Sequence, residues 1–121
     1  SQEELRLDIL NEWAKELSSD LYALKRVRSN MVTPFYLPAS GEGRLLMRIN
    51  GELGPLTMQD INWTGDKFTA RVVTKQIGDI RISGTRNPST GELDVTLSNE
   101  QFEGDIHLKG GLHQPVKPST D

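Results

Sequence analysis

Two histidines, two arginines in strand-like runs and a scatter of aspartates are the residues of this chain with the means to do chemistry. His107 and His113 lie six apart, so they form neither an HxH nor an HxxxH pair, and a metal site on them would need distant carboxylates. Cysteine is absent, which removes disulfides, thiolate ligands and thiol nucleophiles together. No G-x-S-x-G elbow or Walker A loop occurs. Gly41-Glu42-Gly43 lacks the further glycine and the strand-before-helix setting of a dinucleotide loop. Asp60, Asp66, Asp79 and Asp105 fall in or beside turn-forming stretches, where aspartate is expected for backbone reasons. Arg71 and Arg81 have the bidentate forks to hold an anion, but they fit equally a solvated strand face laced with ion pairs. The sequence therefore assigns no catalytic residue, no metal ligand and no cofactor, and it reads as a non-enzyme.

The residues that suit binding are apolar and aromatic. Trp13, Phe35, Tyr36, Met58 and Trp63 supply large, rigid side chains of the kind that wall small-molecule pockets. Phe35 and Tyr36 stand between Pro34 and Pro38, which restrict the segment to extended conformations. Residues 29–43 read as a long connection without regular structure, and such connections often carry function. Its apolar residues either plug the end of the core or form a lid or docking edge.

The elements that must position these residues follow from hydrophobic rhythm. Leu10, Trp13, Ala14, Leu17, Leu21 and Leu24 recur at helical spacing, which predicts a helix from residue 3 to about 28. Ser18-Ser19-Asp20 is its natural breaking point, because all three compete for backbone hydrogen bonds. After about residue 44 the rhythm becomes two, as in Phe68/Ala70/Val72 and Leu93/Val95/Leu97. Six strands are predicted at about 44–50, 55–63, 67–75, 79–86, 92–98 and 102–109. Asn50-Gly51, Thr64-Gly65-Asp66, Ile77-Gly78-Asp79 and Asn87–Gly91 punctuate them as turns. The second strand keeps its apolar residues on one face only with a one-residue bulge near Gln59-Asp60.

The expected fold is α+β: an N-terminal helix packed on one face of a twisted antiparallel meander of about six strands. Residues 1–110 form the domain, and 111–121 read as a flexible tail with Pro115 and Pro118. Six strands make a sheet about 24 Å wide, whereas one helix covers about 10 Å. The uncovered apolar surface must go somewhere. A curled sheet makes a pocket for an apolar small molecule or peptide between helix and sheet. Pairing of two chains over the uncovered face makes a homodimer instead.

A formal charge of −3 argues against nucleic acid as a partner. No stretch approaches the roughly 20 apolar residues of a membrane span, and 121 residues with ordinary composition suit one soluble globular domain. The runs Gly-Asp-Lys-Phe-Thr-Ala (65–70), Ile-Ser-Gly-Thr-Arg (82–86) and Phe-Glu-Gly-Asp-Ile-His-Leu-Lys-Gly (102–110) add a further expectation. Over about residues 53–110 the chain resembles the calycin-like β-meander domains appended to some bacterial hydrolases. That resemblance implies an accessory or binding module, and it brings no catalytic residues with it.

Overall fold

Strict alternation is what closes this molecule on itself. The computed structural model describes residues 2–115. In β5 (Lys67–Thr74) every second side chain is buried: Phe68, Ala70, Val72 and Thr74 point inward and their neighbours face solvent. The same one-sided pattern runs through β4 (Glu52–Thr64), with a slip at its middle, and through β6 (Gly78–Arg86), β7 (Leu93–Ser98) and β8 (Ile106–Gly110). By contrast, β3 (Gly43–Ile49) also buries Leu46 on its outer face. Two more strands precede them, β1 (Leu21–Arg26) and β2 (Val32–Tyr36). All eight pair antiparallel in sequence order, and β8 returns to β1 to close a barrel. Closure removes both sheet edges and puts the apolar face inside.

This overturns the six-strand open meander with a helix on its apolar face. The six expected strands are present, though the last begins at Ile106 rather than 102, and Phe102 packs on the core from a loop. The two extra strands come from residues expected to be helix and irregular connection. Helix α1 covers only Gln2–Leu17, followed by a short 3-10 turn at Ser18–Asp20. The chain breaks where Ser18-Ser19-Asp20 suggested, and it continues as strand rather than helix. Leu21 and Leu24, which fit a helical stripe by spacing, are buried on opposite faces of β1: Leu24 inside the barrel and Leu21 under α1. The apolar face on which the homodimer reading rested is the barrel interior.

Turn chemistry matches its sequence. Asn50 and Gly51 both have positive φ, the pattern of the expected two-residue hairpin. The bulge is also where the pattern required it. Gln59 pairs with Arg71 and Asn62 with Thr69, so Asp60 and Ile61 together oppose Ala70, and Asp60 has φ 54°. Ile61 and Trp63 thereby turn back onto the core.

The helix lies outside the barrel. Leu10 and Trp13 meet Leu21, Val32 and Leu46 from the outer faces of β1, β2 and β3, a second core separate from the interior. Burying each such side chain contributes on the order of 1.5–3 kcal/mol. Where β8 meets β1, the backbones come so close that a Cβ on Gly110 would collide with the Ala23 carbonyl oxygen. Glycine is the residue that permits that approach. The pairing continues past β8: Ala23 N–H donates to Gly111 O at 3.0 Å, Tyr22 bridges Leu112, and His113 N–H donates to Leu21 O at 2.8 Å. Residues 111–113 thus extend the wall beyond the expected boundary at 110, because Leu21–Ala23 still has backbone groups to satisfy. Residues 116–121 of the expected tail lie outside the described residues. No described helix is long and apolar enough to cross a membrane.

Candidate functional site

The two ends of the barrel differ. At the end formed by the 37–43, 64–67 and 86–93 connections, aromatics fill the lumen. Phe68 stands 5.1 Å from Trp63 and 6.5 Å from Phe35, centroid to centroid. Trp63 Nε1–H donates to the Pro38 carbonyl at 3.3 Å, and the Arg86 guanidinium sits 4.4 Å from the Trp63 ring centroid. That end is plugged.

The other end holds the cavity. Strands β2 and β3 pair only through Phe35↔Leu45 and Tyr36↔Arg44. Before Phe35 comes Pro34, which has no N–H to give a ladder. From there Val32–Pro34 and Leu46–Ile49 run without mutual pairing among the described residues. At this seam lies a cavity of about 550 Å³. Its lining takes Leu45 and Met47 from the inner face of β3 and Leu46 and Arg48 from the outer face, so both faces of that strand border the space. Leu97, Ile106 and Leu108 form its inner floor. Val27 and Met31, at its rim in the β1–β2 turn, are 68% and 40% exposed.

Charge at this cavity is one-signed. Arg6, Arg26 and Arg48 line it, and among the described residues no aspartate or glutamate does. Arg48 donates to the Gly51 carbonyl from the turn that follows its strand. Arg6 comes from the helix: it lies on the stripe of Leu10 and Trp13, is 5% exposed, and its Nε has no hydrogen-bond partner. Burial, and then the neighbouring Arg48 charge, hold the Arg6 guanidinium below its ordinary value. An unsatisfied buried donor costs about 1–3 kcal/mol, more when charged.

The five residues expected to bind are divided by the barrel wall. Phe35 and Met58 are fully buried inside, and Trp63 packs against the same interior cluster at the plugged end. Trp13 and Tyr36 belong to the outer cluster under the helix, where Arg44 stands 6.0 Å from the Trp13 ring centroid. None of the five lines the open-end cavity. Of the residues that do, Ser29, Met31 and Thr33 belong to the 29–43 connection that the sequence marked for function; the others were not singled out, although one signal was available. Arg6 precedes Leu10 by four and Trp13 by seven, so helical spacing sets an arginine on the buried stripe.

The polar outer face carries ion pairs. Arg71 Nε donates to Asp60 Oδ2 at 2.5 Å, Arg71 Nη1 lies 3.6 Å from Asp79 Oδ2, and Lys109 Nζ is 3.5 Å from Asp94 Oδ2. These exposed pairs occupy Arg71 and contribute little stability. His107 Nδ1 shares a 3.2 Å contact with Thr96 Oγ1 on this face. No group of three or more metal-ligating side chains occurs among the described residues. Comparison with protein-family models, curated proteins and solved structures gave no match to this chain.

Proposed function

We propose that this protein is a non-enzymatic binding module, a calycin-like barrel that takes a small apolar or amphipathic molecule at its open end. Up-and-down barrels of eight strands are wide enough to hold one small ligand. The observation that carries the reading is the contrast between the ends: aromatic plug at one, an apolar-floored cavity of about 550 Å³ at the other. That volume lies within the range of about 300–1,000 Å³ common for small-molecule sites. The exposed Val27 and Met31 at its rim supply an apolar approach.

Binding without chemistry fits the lining, which offers aliphatic side chains, Ser29, Thr33 and arginines but no general base or nucleophile–base pair. Native mass spectrometry and calorimetric titration with a series of straight-chain alcohols test it. Stoichiometric one-to-one uptake, strengthening with chain length, is expected. Absence of uptake across the series would overturn the reading.

A further inference from the structure

An arginine stands where the stripe of α1 calls for an apolar side chain. Arginine on a helix usually lays its stem on the protein and keeps its head in water. Arg6 is only 5% exposed, and its Nε is fully buried. Several other arginines have partners: Arg71 has Asp60 and Asp79, Arg86 stacks on Trp63, Arg44 faces Trp13, and Arg48 donates to the Gly51 carbonyl. Among the described residues Arg6 Nε has none and no ion pair involves Arg6, and its charged neighbour is Arg48, of the same sign. A desolvated cation beside a like charge is relieved by an anion that accepts from its planar fork. The adjoining floor of Met47, Leu97, Ile106 and Leu108 is apolar.

We propose, building on the binding reading above, that the cavity takes a carboxylate carried on an aliphatic chain. Arg6, with Arg48 beside it, holds the carboxylate, and the chain lies over Met47, Leu97, Ile106 and Leu108. A guanidinium matches a carboxylate through two parallel N–H···O bonds, which a hydroxyl head cannot reproduce. Selection for the anion therefore comes from Arg6, and the bulk of the affinity from the chain.

Calorimetric titration of the full chain at pH 8 with decanoate, 1-decanol and decyltrimethylammonium tests this at constant chain length. Decanoate is expected to bind at least tenfold tighter than decanol, and the cation not measurably. Across shorter carboxylates affinity should change about three- to fourfold per methylene. Arg6→Met, which keeps the bulk and suits the helix stripe, should bring decanoate down to the level of decanol and leave decanol unchanged. Arg48→Gln, at an exposed position, should remove part of the preference and supplies the test if Arg6→Met does not fold. Equal binding of decanoate and decanol by the unaltered chain, or an undiminished preference in these variants, overturns the anion site while leaving an apolar cavity standing. No binding of decanoate or decanol removes both readings.

Discussion

The Phe68 ring lies so close over Gly84 that a Cβ on the glycine would come within 2.6 Å of Phe68 Cε1 and 2.5 Å of the Asp94 carbonyl oxygen. The glycine is a slot in β6 into which the ring beds, between Gly84's two neighbouring strands. This bedding lets Phe68 reach Trp63 and Phe35 and seal one end of the barrel. Gly84→Ala should therefore cost about 1–3 kcal/mol by overpacking. Gly54→Ala is the control: nothing lies within 4 Å of its added Cβ, and the change should stay within about 0.5 kcal/mol. Chemical denaturation of both variants checks this, and equal effects would mean that the plug yields easily.

The outer cluster ties the helix to the barrel. Leu10 is fully buried between α1 and the strands beneath it. Leu10→Ala should lower unfolding stability by about 2–5 kcal/mol. An effect below about 0.5 kcal/mol, as at exposed sites, would mean that α1 is not docked in solution.

Arg6 should show an opposition between stability and binding. Leucine at this position removes the buried Nε donor, which has no partner among the described residues, so Arg6→Leu should stabilise the ligand-free protein by about 1–3 kcal/mol. The same change should abolish preference for carboxylates. A destabilised Arg6→Leu protein would show that the guanidinium has protein partners in solution.

Residues 111–113 make the closing contacts of the wall. His113 Nε2 also meets Asn11 Oδ1 at 2.8 Å, linking this segment to the helix. Burial lowers the His113 pKa below its ordinary value of 6.5. The unfolded chain therefore binds this proton more readily than the folded one. The contribution is fully present above about pH 6.5 and is lost as pH falls from there through the folded value. Thermal unfolding should show a smaller loss between pH 7.5 and pH 5 for His113→Gln than for the unaltered chain. An identical loss would assign the acid sensitivity to other groups. Truncation after Gly110 removes the backbone bonds of Gly111 and His113 and should cost about 1–3 kcal/mol, at about 1 kcal/mol per hydrogen bond.

The legible part of this fold was the part buried on one side. Strands such as Lys67–Thr74 alternate because one face is core and the other is water, and the bulge at Asp60 showed as a slip in that alternation. β1 was illegible for a physical reason. Leu21, Tyr22, Ala23 and Leu24 are covered on both faces, by the barrel core and by α1, so they show no period of two. Leu17, Leu21 and Leu24 then imitate a helical repeat. In β2, Pro34 and the short pairing with β3 concealed a strand that reads as loop. The candidate site was less legible still, since its cavity depends on a seam between the expected strand β3 and β2, which reads as a connection. Aromatic side chains drew attention to the plug, whereas aliphatic residues and three arginines, one of them on a buried helix stripe, line the open end.

A methyl-resolved NMR titration of the full chain with decanoate reads the central claim most directly. The account predicts saturable shifts at Met47, Leu97, Ile106 and Leu108, which line the open-end cavity. Leu37 and Leu93 near the plugged end, and Leu10 and Leu21 in the outer cluster, should stay unmoved. Saturable shifts centred on either of those groups, or no saturable shift anywhere, would contradict it.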